Sequence, residues 1–551
     1  MSPTIASMLI STLLSVLPTR LGNPYKEVIR VRDQVAFDSL QTSVDRAVEN
    51  GMKKINVKIS KGTYYFAENH LDIRGVDNPE LEITVEANKS VFVPKGATYR
   101  MVYGSAPYES EFAENLSFAD TELLEDVEMR SAVCQAASQV GRYGNMYRMK
   151  VREGDVPDTL AKDMYLVLSQ WYASGVHKVE KIEGGWLYFT STYSFSQITR
   201  DEYYGKKYPK YILVNAPSPA HPSVYKGRVF YSGSVLHQGE ATRFLTLKDC
   251  SIKSFTLGGA HFLGNRGNGP LLDFEAVSSG KVEVAGCSFT GLHGRVADCK
   301  ATDNFSFSDN EVTRCFLDGV TVDGASSHAL ISGNIFSDNG QRMTQSFDVV
   351  MRGRDFLVKD NLFVDFCYSG LGIGYHFQSG GGIVTSGTVE DNEFCHSDRF
   401  RAAKVTRTLM DSGAIYIWTM NEDVVIRNNY IHDITGAKDN RGIFGDDGAF
   451  NVRVYGNLIV GIENSFTIDF RRVANVETRS DSDVDKVNYN ILMYGNTVDG
   501  RVRFQPRPGD EGSYKGDNIL VSPRENREEL VRRWRKGKTS RNSHIGVGED
   551  L

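Results

Sequence analysis

The chain has 551 residues, with 63 Lys and Arg against 69 Asp and Glu, a formal net charge of −6. Such a near-neutral chain lacks the basic surplus that general nucleic-acid binding draws on, and a composition 40% hydrophobic and 24% charged excludes global disorder. The 52 Gly and 15 Pro, beside 26 Tyr and 29 Phe, favour a turn-rich all-β protein over a helical one.

Residues 1–24 contain an apolar run, Ile5–Leu17. It has no basic start and no A-x-A site after it, so it reads as a signal-like or disordered segment, and a secreted or periplasmic location is the expectation. No run of 18 apolar residues occurs, so no membrane-spanning helix is expected. Residues 25–98 carry a predicted short helix, Phe37–Gly51. The strands INVKIS, GTYYF, LEITVEA and SVFVP follow it. They read as an N-terminal cap and the first coils of a repetitive fold. Residues 99–236 show longer alternating strands, MYRMKV, MYLVLSQWY and GGWLYFTSTYS. That pattern predicts an inserted β-rich, sandwich-like domain.

Residues 237–521 are dominated by one short motif: a polar residue or Gly, then Asn or Cys, one residue, then an apolar one. It occurs at Cys250, Cys287, Asn310, Asn334, Asn361, Asn392, Asn429, Asn457, Asn496 and Asn518, with spacings between 22 and 39 residues. A floor near one coil length, with variable excess, predicts a parallel β-helix whose coils carry loops of different size. Stacked inward Asn side chains would form a hydrogen-bonded ladder between coils. Residues 522–551 begin with a predicted helix, Ser522–Lys538. It places Leu530, Val531 and Trp534 on one side and is expected to cover the open edge of the last coil. The seven cysteines are odd in number and contain no CxxC, so they read as small buried residues. No His/Cys cluster has zinc spacing, and no metal or cofactor is expected.

A second strand recurs between ladder positions: SGLGIGYH, SGAIYIW, RGIFGDDG and NSFTIDFRR. Alternation predicts Leu371/Ile373, Ala414/Tyr416, Ile443/Gly445 and Phe466/Ile468 inward. It predicts His376, Ile415/Ile417, Phe444/Asp446 and Thr467/Asp469/Arg471 outward. Asp446 and Asp469 are 23 residues apart, one minimal coil, and are expected one above the other. Two such carboxylates would repel and split their proton affinities, the pairing that glycosidic cleavage uses. Their close spacing predicts a retaining reaction, with Asp446 as nucleophile and Asp469 as acid/base. Asp447 or Asp411 would take the acid role if Arg471 and Arg472 hold Asp469 ionised. His376, Trp418, Arg471 and Arg472 are candidate sugar-binding residues.

The runs DSGAIYIW (Asp411–Trp418), IRNNYIHDITG (Ile426–Gly436) and RGIFGDDGAFNVRVYGN (Arg441–Asn457) resemble a block of the right-handed parallel β-helix glycoside hydrolases. Closest in style are families 120 (β-xylosidases) and 141 (fucosidase or xylanase activities). The resemblance implies a right-handed β-helix with an inserted β-domain, acting on a carbohydrate substrate through acids on adjacent coils without a cofactor. Asp446 and Asp447 match the acidic doublet, and Asp469 stands on the next coil. The doublet is Asp-Asp where Asp-Glu is frequent, and DFRR replaces a Gly-rich turn. Two other functions fit the same scaffold. A polysaccharide lyase would recruit Arg471, Arg472, Arg401 or Lys404 as base, with Ca²⁺ at Asp446 and Asp447. A non-catalytic carbohydrate-binding β-helix would bind sugar without turnover.

Overall fold

The computed structural model describes residues 25–95, save 68, and residues 242–544. The second stretch has breaks at 266–268, 293, 316, 341–345, 375–384, 403–410, 418–420, 436–439, 447–448, 464, 471–488 and 507–510. Between the two stretches it describes separate strands within 98–231, along with residue 160. The chain is all-β and winds as a parallel β-helix, one strand per coil entering each of three parallel sheets. The first sheet runs from Leu71–Arg74 through the starts of Leu245–Leu263 and Leu272–Ala285. It continues through Ala297–Lys300, Val320–Val322, Phe347–Met351, Ser369–Ile373, Ser412–Ile417, Asn440–Gly445, Phe466–Phe470 and Arg501–Phe504. The third sheet is built of very short strands, from Ser288–Thr290 to Thr497–Val498.

The recurring Asn motif has a conformational cause. The residue before the ladder Asn sits in the left-handed region at Asp309, Gly333, Asp360, Asp391, Asn428, Gly456 and Gly495. Only Gly, Asp and Asn adopt that conformation at low cost, which explains the D/G/N at that position. The Asn that follows turns into the core and stacks. Asn334 donates from its backbone N–H (3.0 Å) and its Nδ2 (2.9 Å) to Asn361 Oδ1, and Asn361 repeats both bonds to Asn392. Asn361 Nδ2 also donates to the Ile331 carbonyl, 2.9 Å away. The column continues without a break through Asn429, Asn457 and Asn496 to Asn518. Cys287 starts it by donating its backbone N–H to Asn310 Oδ1. Cys250 is not a member: it lies one turn earlier, paired with Val277, and its thiol donates to the Ile73 carbonyl. Ala260, next to the His261 that pairs with Ser288, holds the ladder position in that coil.

Inward apolar residues stack in the same way. Phe336, Phe363 and Phe394 lie at centroid spacings of 5.0 and 4.5 Å with rings within 5° of parallel, close to the strand spacing itself. Burial of each such side chain stabilises by roughly 1.5–3 kcal/mol. At the bottom of the stack the predicted single helix is two, Gln34–Asp38 and Leu40–Glu49, with the Asp33 carboxylate capping the first at Ala36 N–H. Their Phe37, Leu40 and Val44 are fully buried in the same core as Ile55 and Val57.

The strand Leu245–Leu263 pairs directly with Leu71–Arg74 and Asp77–Pro94. The chain between Lys95 and Thr242 is therefore inserted between two adjacent coils. The strands described within that excursion form a seven-stranded and a three-stranded sheet, both antiparallel. The C-terminal helix, Arg527–His544, packs through Leu530 and Trp534 on Leu458 and Val460, with Trp534 Nε1 donating to the Gly456 carbonyl. It thus lies along the flank of the third sheet. The expected cover over the last coil is not formed by these residues, and Ile519 and Leu520 on the final strand are exposed. No helix among the described residues is long and apolar enough to cross a membrane.

Two predictions follow from these columns. Replacing Asn361 by Leu removes partners from Asn334, Asn392 and the Ile331 carbonyl and should lower stability by about 1–3 kcal/mol, read as a fall in urea midpoint at constant slope. His396 is buried and accepts the Thr435 N–H on Nδ1, and burial pulls its pKa down to about 3. The unfolded chain therefore binds this proton first as pH falls below about 6.5. Stability from this residue is complete above that value and is lost toward pH 3, by up to about 1.4 kcal/mol per pH unit. His396→Asn should flatten that part of the stability–pH curve.

Candidate functional site

The outward face of the first sheet carries a second buried layer. Phe347, Val350, Tyr368, Tyr416 and Phe444 form an apolar cluster separate from the main core. Among and beside them lies a chain of polar groups spanning five coils. Tyr416 donates its hydroxyl to Asp446 Oδ2 at 2.5 Å, and Tyr368 donates to the main-chain carbonyl of Asp411 at 2.7 Å. Both phenols are pushed well above their ordinary pKa, first by burial and then by the nearby negative charges, Asp446 and Asp411 among them. They stay neutral donors at any physiological pH.

Arg441 is completely buried, 0% exposed, on this face. Its Nε donates to Asp469 Oδ2 (2.9 Å) and its Nη1 to Asp411 Oδ1 (3.2 Å), while the guanidinium lies 3.9 Å from the centre of the Phe444 ring. Arg503, one coil above Asp469, donates from Nε to Oδ1 and from Nη2 to Oδ2, both at 2.6 Å. Asp469 is also 0% exposed. It is a buried anion held by a fork on one side and a second guanidinium on the other, the strongest geometry for a carboxylate.

The sheet register corrects two expectations. Ile443 pairs with Ile468, so Asp469 lies beside Phe444. Asp446 is two residues further along, not above Asp469. Two residues along a strand and one strand across separate the Cα atoms by about 8 Å. A 23-residue coil would set Gly442 against Ser465, whereas the register puts Gly442 against Thr467. A Cβ on Gly442 would stand 2.5 Å from the Thr467 carbonyl oxygen, which is why glycine is there. The second correction concerns Ser412–Ile417. Ile415 pairs with Leu371 and Ile443, so Ile415 and Ile417 point inward and Tyr416 outward. A one-residue slip of alignment reverses every side chain, and it had hidden Tyr416 from the site.

Carboxylates in strict register do occur on this sheet, at Asp273 and Asp298. Arg243 approaches the first to 3.4 Å and Arg295 the second to 2.9 Å. Both are nearly fully buried and each is paired with a guanidinium group.

The structure thus gathers Asp411, Asp446 and Asp469 into one network. His376, Trp418, Asp447, Arg471 and Arg472, and with them Lys404, lie outside the described residues. Arg441 and Arg503 were missed by sequence reasoning, because an Arg beside a Gly or in an alternating strand reads as surface. The signal available was register: Arg503 is the residue paired with Asp469. Replacing Arg441 by Met leaves Asp469 with Arg503 alone and weakens the hold on Asp411. It should cost about 3 kcal/mol, the low end for a broken buried ion pair. Asp469→Leu in the same chain should restore part of that, measured by urea unfolding.

Comparison with known proteins bears on the fold. A search of the curated proteins finds no match to this sequence. Among solved structures, a glycoside hydrolase aligns over 92% of this chain and 98% of its own at 10% identity and a TM-score of 0.46. The complex of XylC with xylose aligns over 91% of this chain and 86% of its own, at 8% identity and TM-score 0.32. An alginate lyase from Paenibacillus aligns over 48% of this chain and 92% of its own, at 12% identity and TM-score 0.29. Residues 278–482 match the family model described as the right handed beta helix region, and together with the parallel three-sheet stack this makes the chain a right-handed parallel β-helix protein.

Proposed function

We propose that this protein hydrolyses a glycosidic bond of an oligo- or polysaccharide at the outward face of the first sheet, with Asp446 as the carboxyl group that meets the substrate. The observation that carries the reading is the division of labour between two carboxylates on adjacent coils. Asp469 is clamped by Arg441 and Arg503 and closed to solvent. It acts on the site through its charge and does not touch the sugar. Asp446 has one oxygen oriented by the Tyr416 hydroxyl, and it stands just past the end of Asn440–Gly445. Of the two, Asp446 alone stands past the end of its strand, and its 4% exposure exceeds the 0% of Asp469. Asp446 is therefore assigned the proton donor to the leaving oxygen, and Tyr416 the group that positions it. Asp447 remains the candidate for activating water, while Asp411, bound by Arg441 at the other end of the strand, anchors the network.

This assignment changes the expected stereochemistry. Direct attack needs carboxyl groups only about 5–5.5 Å apart, whereas a separation of about 6.5–9.5 Å admits a water. The two-residue offset removes Asp446 and Asp469 as that close pair, and with the second carboxylate assigned to activate water rather than to attack, inversion is the expected outcome. The residues need no metal for this chemistry, and turnover should persist in EDTA.

Aryl glycosides and plant or host oligosaccharides should be screened by reducing-end release, and the first anomer read by NMR. Asp446→Asn should lower kcat by about 10²–10⁴-fold, and Tyr416→Phe by a smaller factor with KM little changed. Early release of the retained anomer would reverse the assignment of roles. An unsaturated product absorbing in the ultraviolet, formed only with Ca²⁺, would make the protein a lyase. Sugar binding unchanged in Asp446→Asn, with no turnover in the parent, would make it a binding module.

A further inference from the structure

In the third sheet, the strands Glu393–Cys395 and Tyr430–His432 are neighbours, with Cys395 directly paired to His432. Glu393 and Cys395 are two residues apart, so both point outward while Phe394 points into the core. His432 stands above Cys395 on the same face. Its Nε2 is 3.1 Å from Glu393 Oε1, and its Nδ1 is 2.7 Å from Asp433 Oδ2. The donor atoms of Glu393, Cys395 and His432 all lie within 4.8 Å of one another. None of these residues touches the Asp446 network.

One sulfur, one imidazole nitrogen and one carboxylate oxygen converging on a point are the ligand set of a borderline-soft divalent ion of the zinc class; the sulfur argues against Ca²⁺ and Mg²⁺. The imidazole is already oriented for it. A carboxylate on Nδ1 is the partner that metal-binding histidines use to present Nε2 and raise its basicity. Asp433 is itself held by Arg401 at 3.7 Å and by Arg527 of the C-terminal helix at 3.4 Å. One side of the ring is covered by Tyr430, stacked at 4.1 Å. Glu393, 40% exposed, leaves an opening to solvent.

We propose that Glu393, Cys395 and His432 form a binding site for a zinc-class divalent cation, positioned by Asp433 and open at a fourth coordination position. The metal displaces the imidazolium proton and the thiol proton to solvent and joins two adjacent coils beside the C-terminal helix. Its role is structural, separate from catalysis at Asp446.

The full chain, stripped with chelator and dialysed, should be titrated with Zn²⁺ by calorimetry and with Co²⁺ by absorption. The expected result is one ion per chain, a thiolate-to-cobalt charge-transfer band and a rise in melting temperature on loading. Cys395→Ser should abolish the band and weaken Zn²⁺ binding at least tenfold. Asp433→Asn should keep the band and weaken binding by about 10–100-fold. Glu393→Gln, a change at a half-exposed position, guards against misfolding of the Cys variant and should also weaken binding. Absence of stoichiometric uptake overturns the proposal, as does uptake with an unchanged band in Cys395→Ser.

Discussion

Register between successive coils is the constraint on which everything else in this protein rests. Once the ladder amides are stacked, each residue of a coil has a fixed neighbour about 4.8 Å above and below. The Asn column sets that register with bonds no other side chain can copy: one oxygen that receives two donors from the coil below, and one NH₂ group shared between the coil above and a main-chain carbonyl. The distance in sequence from one ladder Asn to the next varies from 22 to 39 residues. The vertical pitch does not, because the excess is placed in loops outside the three sheets.

The same constraint explains why ions are buried on the outer face. Tyr368, Tyr416 and Phe444 remove water from Arg441 and Asp469, and a charge in such a place is tolerated only with a full set of partners. Arg441 has Asp411, Asp469 and the Phe444 ring, contributed by three successive coils. No single coil contains the means to satisfy it. The polar network is therefore a property of the stack, and each of its members depends on the correct registration of the others.

That dependence sets what could be read from sequence. The ladder was legible because a left-handed residue followed by Asn is a local requirement, met separately in each coil. The site was legible only as a neighbourhood: Asp411, Asp446 and Asp469 come together, but the offset between Asp446 and Asp469 depends on how one loop is accommodated. Tyr416 was turned the wrong way by one residue of misalignment. Cys395 and His432, 37 residues apart, show no metal-binding spacing in the sequence; they meet because that interval is one coil. The Cys250 motif shows the converse, a local match with no place in the column.

The excursion between Pro94 and Thr242 has a consequence for the order of folding. The coils built from residues 26–94 find their upper partner in Leu245–Leu263, and the Cys250 thiol reaches the Ile73 carbonyl across 177 residues. Thermodynamically the long separation matters little, since each doubling of a closed loop costs only about 0.6 kcal/mol. During synthesis it matters more. At about 5–20 residues per second, the first coils wait roughly 10–30 s with a bare parallel edge before the strand that covers it has been made. An exposed edge of this kind is a template for any extended chain nearby, so the newly made N-terminal coils are the part of this protein most in need of protection at the ribosome.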